Sequence, residues 1–301
     1  MVTGSGSRQR QRRLNFWGWF FVFPTMLGLV ILNIIPIFQT VWQSFFKVGD
    51  FGRGNVFVGF THYIQLFHDA QIWQALLNTL LYAVVEVPLS VVIGFIFAVM
   101  LNQKLPGRGF FRTVFFLPMV VAPAAVAMVW RYLFSTNFGL LNQTLKAIGL
   151  PPVGWISNPN LAIFSLAFTG IWGSFGYVMV LFLAGLQGIP KDYYDAADID
   201  GAGFIRKQLI VTVPLISPTT FFITVTRAIG ALQIFDGIFV ILGRLSPVLY
   251  RTQSLVYLFY RYSFIENNRG YGATIILLLV VVIILITALQ QLIQKRWVHY
   301  E

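Results

Sequence analysis

Residues 76–101 read LLNTLLYAVVEVPLSVVIGFIFAVML, from Leu76 to Leu101, with Glu86 as the single formal charge. A bilayer core of about 30 Å is crossed by about 20 apolar residues in a helix, so this run is long enough to span. Pro88 sits inside it, a break that membranes tolerate when neighbouring helices or a cavity satisfy the freed backbone groups. Glu86 lies ten residues into the run, about 15 Å deep at about 1.5 Å per residue. A carboxylate at that depth needs a partner.

Five further stretches carry the same signal: Trp17–Phe38, Phe110–Phe134, Leu161–Leu186, Leu215–Leu242 and Gly272–Ile293. The composition agrees. The chain is 57% hydrophobic and only 10% charged, and its mean hydropathy is +0.75; soluble domains run near 45–50% apolar and about 25% charged. The prior of two soluble domains that 301 residues would suggest is overruled. The fold expected is an all-α polytopic membrane protein of six transmembrane helices. Residues 1–16 form a basic tail, 17–294 the six-span domain, and 295–301 a short C-terminal tail. The first stretch lacks a small-residue cleavage site and runs into Pro36 and Trp42, so it reads as a retained span rather than a signal peptide. Pro24, Pro36, Pro118 and Pro123 interrupt the first and third spans, which favours a bundle over isolated anchors.

What the chain lacks narrows its chemistry. Cysteine is absent, which excludes disulfides, iron–sulfur clusters and thiolate zinc sites. Three histidines, His62, His68 and His299, argue against a histidine metal centre. A net charge of +11 would suit nucleic acid, but no basic stripe with interleaved aromatics stands outside the apolar segments. The basic residues instead set orientation. Twelve lie on the tail-bearing side: Arg8, Arg10, Arg12, Arg13, Lys104, Arg108, Arg112, Lys191, Arg206, Lys207, Lys295 and Arg296. Seven lie opposite: Lys47, Arg53, Lys146, Arg244, Arg251, Arg261 and Arg269. Both termini are therefore expected in the cytoplasm. Loops near 42–75 and 243–271 have room for short interfacial helices, and no inverted or tandem repeat of the spans is evident.

Four of the ten acidic residues fall in one loop on the tail-bearing side: Asp192, Asp195, Asp198 and Asp200. Pro190 can open a helix there, and acids behind it complement the positive helix N-terminus. Ala196 and Ala197 leave a low surface, and Gly201 and Gly203 permit a sharp turn toward Pro214 and Pro218. A cation loop would need alternating ligands and a terminal bidentate Glu, a pattern missing here. The run Tyr194-Asp195-Ala196-Ala197-Asp198-Ile199-Asp200-Gly201-Ala202, with Pro214 thirteen positions after Gly201, resembles the EAA motif of ABC importer permeases. Further short strings keep the same order: Phe57-Val58-Gly59-Phe60-Thr61-His62-Tyr63, Asn78-Thr79-Leu80, Gly107-Arg108-Gly109-Phe110-Phe111-Arg112, Phe116-Leu117-Pro118 and Leu183-Ala184-Gly185-Leu186-Gln187-Gly188-Ile189-Pro190. Together they resemble the carbohydrate-uptake branch and, within it, the MalF-type subunit.

That resemblance implies the type I importer transmembrane fold, with residues 189–214 as a coupling loop docking on a separate ATPase. Asp195, Ala196, Ala197, Asp198, Asp200, Gly201, Ala202 and Pro214 are its implied docking residues. It also implies a MalG-type permease as heterodimeric partner, two cytoplasmic ATPase subunits that use ATP and Mg, an extracytoplasmic sugar-binding protein, and a bacterial or archaeal cytoplasmic (inner) membrane. No cofactor is implied in this chain. Two positions depart from the pattern. Asp195 stands for the leading Glu with its charge retained, and polar Gln208 replaces a usual Phe.

Two span faces are candidates for substrate. Gly170, Gly173, Ser174 and Tyr177 share one helical face, as do Thr226, Gly230, Gln233 and Gly237. Small faces serve either close helix packing or a cavity lining. The resemblance implies that these spans supply the sugar site, with an aromatic residue stacking on the sugar. Trp172, Ser174, Tyr177, Gly230, Gln233, Asp236 and Gly237 are then the candidates. Arg227 lies twelve residues into the fifth span, about 18 Å deep. It either pairs structurally with Glu86 or faces the path and holds an acidic sugar or phosphorylated substrate.

The expected function is a non-catalytic permease subunit of an ATP-driven, binding-protein-dependent sugar or oligosaccharide importer. No Gly-x-x-x-x-Gly-Lys-Ser/Thr phosphate loop occurs in the chain, so ATP hydrolysis falls to partners. Three alternatives stand beside it. One is an importer of a glycerophosphodiester or polyol. A cation-coupled secondary transporter would use Glu86, Asp236 and Arg227. A lipid-linked glycosyl transferase would need paired carboxylates or a His/Ser constellation at a membrane face.

Overall fold

A computed structural model describes residues 5–48, 55–103 and 106–298, with only the backbone for 5–12. Arg8, Arg10 and Arg12 keep their backbone alone, while Arg53, Lys104 and residues 299–301 lie outside the described residues. Helix α1, Ser5–Leu29, runs through a π turn at Val30–Ile34 into α2, Ile35–Gln43, so the first span extends back into the basic tail. A two-stranded hairpin follows: β1, Phe46–Val48, pairs antiparallel with β2, Asn55–Phe57. Then come α3, Thr61–His68, and α4, Ala70–Asn102, which begins at Asp69, whose carboxylate accepts from the Gln71 backbone N–H.

The third expected span is not a straight helix. It divides into α5, Arg108–Val120, and α6, Pro123–Leu133, bent by 96°. The cause is local. Pro123 disfavours helical backbone in the residue before it, and Val121 and Ala122 are extended, with ψ of 141° and 127°. Next are α7, Leu140–Ala147, and the long α8, Ala162–Gln187. After α8 come α9, Lys191–Ile199, α10, Phe204–Lys207, a π turn at Gln208–Thr212, α11, Val213–Leu215, and α12, Ser217–Leu232. The chain closes with α13, Leu255–Tyr260, and α14, Arg269–Trp297. Five helices are long and apolar enough to cross a membrane, and the bent pair makes six, among the described residues.

The core is built on α4 and α8. They run parallel, because Tyr82 faces Gly170 while Gly94 faces Val178 farther along both helices. Gly176 lies against the Phe115 carbonyl, where any Cβ would collide, so α8 meets α5 backbone to backbone. Helix α12 packs antiparallel on this pair, with Thr219 beside Gly185 near the α9 end and Arg227 beside Glu86 deeper in. One buried cluster at the α9 end joins Ala98, Val178, Phe182, Leu186 and Ile223. Another at the opposite end joins Trp130, Phe134, Leu166, Ile238 and Tyr257. A third packs α13 and α14 on α3 and α4 through Leu66, Ile72, Leu255, Leu258 and Ile275. The first helix stands apart from all three: Trp19, Phe21 and Leu32 are each more than 70% exposed.

Candidate functional site

The acidic loop folds into α9 and a capped turn. Pro190 precedes the helix, and Asp192 sits in its first turn. At the far end Gly201 has φ of +70°, a left-handed conformation that side-chain-bearing residues adopt at a cost. Its N–H donates to the Asp198 carbonyl at 3.0 Å, and the Ala202 N–H donates to the Ala197 carbonyl at 2.9 Å. This is a full Schellman cap. Ala197 and Ala202 face inward and are buried, whereas Asp195, Ala196, Asp198 and Asp200 are exposed. The hydroxyls of Tyr194 and Thr212 lie 3.0 Å apart, tying α9 to the π turn that leads to Pro214. Lys207 pairs with Asp198 at 2.6 Å. Gln208, at the Phe position of the motif, is half-buried at the start of that π turn.

Sequence reasoning singled out the acids and alanines and missed the apolar side chains beside them. Ile199 is 88% exposed and Ile205 73% exposed, with Phe204 and Leu209 also outward. Large apolar groups presented on a charged loop mark an interaction surface. Their signal was available in the sequence as Ile, Phe and Ile flanking the Gly-Ala-Gly turn.

Deep in the bundle, Glu86 is fully buried and Arg227 is 19% exposed, and the two form an ion pair through Glu86 Oε1 and Arg227 Nη2. Ser174 Oγ donates to the same Oε1 at 2.8 Å. Gly170, one turn earlier on α8, leaves the space that the Tyr82 hydroxyl and the Glu86 side chain occupy. Ser174 is therefore buried in the charge cradle, the packing role that its spacing left open, rather than open to a substrate as the resemblance implied. Glu86 Oε2 and Arg227 Nε are buried without a hydrogen-bond partner.

Packing also sets where the remaining candidates lie. Trp172 points away from the face of Gly170 and Ser174, and its ring makes an edge contact with Trp130 at 5.6 Å. The helical face drawn through Thr226, Gly230, Gln233 and Gly237 is interrupted. Helix α12 stops at Leu232, Ile234 and Phe235 are not helical, and a π turn occupies Gly237–Leu242. Ser254 donates to the freed Ile234 carbonyl at 2.7 Å and accepts from the Tyr257 N–H at 3.1 Å. It stabilises the break and caps α13 together. Gly237 consequently packs near Leu166, while Gly230, Gln233 and Asp236 remain exposed.

The family described as "Binding-protein-dependent transport system inner membrane component" matches residues 90–299, most of the bundle and all of the capped loop. The chain belongs to this family. It is 34% identical over 265 residues to the probable ABC transporter permease protein YurN of Bacillus subtilis, covering 85% of this chain and 88% of that one. It is 32% identical over 226 residues to the trehalose/maltose transport system permease protein MalF of Thermococcus litoralis, covering 75% and 77%. A crystal structure of a bacterial ABC transporter involved in import of the acidic polysaccharide alginate superposes with a TM-score of 0.83, at 22% identity, over 96% of this chain and 99% of that chain. That likeness establishes the importer transmembrane fold.

At the end of the permease opposite α9, a polar lattice joins elements far apart in sequence. Asn78 donates to the carbonyls of Tyr250 and Gln253, at 3.2 and 3.1 Å. Arg261 donates to Glu266 and Gln71, and the Tyr271 hydroxyl donates to Asp69 at 2.9 Å. Beside it opens a recess of about 870 Å³, lined by Arg131, Ser135, Thr136, Ser157, Arg244 and Ser246 among others. The permease therefore carries an apolar contact surface at one end, a polar face at the other, and a paired charge between.

Proposed function

We propose that this permease is the MalF-type transmembrane subunit of an ATP-driven importer that carries a sugar or oligosaccharide delivered by an extracytoplasmic binding protein. The capped α9 turn carries the reading. Its buried Ala197, exposed Ala196 and outward Ile199 and Ile205 make a small, capped knob with apolar tips among exposed aspartates, suited to a cleft in another protein. In this reading the knob faces the cytoplasm, both termini lie on that side, and a separate ATPase dimer supplies ATP hydrolysis with Mg. A MalG-type permease completes the pore. Residues 17–294 act as the transport domain and 189–214 as its coupling loop. The sugar assignment draws on the relative named for trehalose and maltose.

Closure of the ATPase dimer would pull on α9, and Tyr194–Thr212 passes that pull to the base of α12. Trp172, Tyr177, Gly230, Gln233, Asp236 and Gly237 are proposed to face substrate at some stage of the cycle. Placing valine at Gly201 forces a β-branched residue into a left-handed backbone. In proteoliposomes holding the whole complex, Gly201→Val is expected to leave ATP hydrolysis while cutting binding-protein-dependent sugar uptake at least tenfold. Uptake at the unaltered rate would remove α9 as the coupling element.

A further inference from the structure

Arg227 occupies a position that lipid cannot satisfy. It sits in mid-span, its side chain is 19% exposed, and Nη1 lies 3.7 Å from where a Cβ on Gly230 would stand. Gly230 is itself exposed, and the exposed Gln233 and Asp236 follow across the unwound stretch. Non-helical backbone and polar side chains at membrane depth persist only where they meet protein or line a water-filled cavity. This edge of α12 accordingly faces the path, a step that rests on the permease reading above.

An unpaired guanidinium there would make the path an anion site. The fold prevents that. Glu86 is fully buried behind Arg227 and is held by Ser174 and by the space at Gly170, so it cannot turn toward the path itself. The pair is neutral as a unit, while the Nη1 edge keeps its donors. We infer that Glu86 is a specificity-positioning residue: it cancels the charge of Arg227 so that the path offers hydrogen-bond donors to an uncharged, hydroxyl-rich substrate and no net attraction to an anion.

The chain has no cysteine, which supplies a direct test. A single Gly230→Cys change places a thiol beside Nη1 at ordinary contact distance. In the assembled transporter, this thiol would be titrated with a negatively charged and a positively charged methanethiosulfonate reagent. With both charges intact, the two reagents are expected to react with a rate ratio within about threefold of that at an exposed loop cysteine. Adding Glu86→Gln should favour the anionic reagent by roughly tenfold or more, and adding Arg227→Gln should favour the cationic one similarly, as a unit charge within a few ångströms predicts. A pair that does not set the potential at this surface would not move these ratios. No labelling at position 230 under any nucleotide state would refute the path reading and the inference with it. Labelling with ratios indifferent to both variants, or an anion preference with the pair intact, would overturn the inference alone. Either variant alone carries the comparison, so the failure of one to assemble leaves the other to decide, and an anion preference with the pair intact overturns the inference without either.

Discussion

His62 is buried between the hairpin and α14, with Nε2 3.3 Å from the Phe46 carbonyl and Nδ1 buried without a partner. Burial holds its pKa below the ordinary value of 6.5; the Phe46 carbonyl partly offsets this, and Lys47 adds to it. The neutral ring fits, with Nε2–H donating and Nδ1 bare. A second proton would sit on Nδ1 with nothing to accept it. The unfolded state therefore binds the extra proton first. Stability contributed here is fully present above pH 6.5, falls as pH drops from there through the lowered folded value, and levels off below it. Thermal unfolding in detergent between pH 7.5 and 5 is expected to show this loss, and His62→Gln should flatten it. At this scale the sequence told which charges lay deep, because depth is only counting along a helix, and Glu86 and Arg227 were legible. Ser174 was not. Its spacing marked a face, but only the parallel packing of α8 on α4 decides that the face meets a carboxylate.

Among the elements, the break after α12 is the one that pattern reading could not supply. The run Leu215–Leu242 is apolar apart from scattered polar residues such as Arg227, Gln233 and Asp236, and hydropathy does not report where a helix stops once every residue lies in lipid or protein. What fixes the stop is Ser254, about twenty residues later, whose hydroxyl bonds the Ile234 carbonyl and the Tyr257 N–H. Ser254→Ala removes both bonds at a site 1% exposed. A loss of about 1–2 kcal/mol is expected from an N-cap and a buried carbonyl together. Urea or heat titration of the detergent-solubilised chain would measure it; an unchanged midpoint would mean the break holds itself. The bend between α5 and α6 was half legible. Pro123 located it, yet nothing in composition gives the 96° between α5 and α6, nor the close approach of α5 to Gly176 on α8. The α9 turn was the most legible element because its signals are all local: Pro190, the aspartates and Gly201.

On the scale of the whole molecule, five of the six spans make one packed body, and the first joins it only through α2. Residues 13–27 expose aromatic and aliphatic side chains on every side, while α2 packs on α14. A chain starting at Ile35 is expected to keep its thermal transition within a few degrees and its remaining helical circular dichroism, because the three buried clusters contain no residue before Leu66. Collapse of that transition would show that the first helix stabilises the core. The separation bears on how the protein is made. The first helix reaches the bilayer ahead of the five spans that follow it, and with so few contacts to them it must enter on its own mean hydropathy of 2.2. It can then stand apart in the membrane while the rest is synthesised. Biogenesis would thus order the steps as insertion of this helix first and closure of the bundle second.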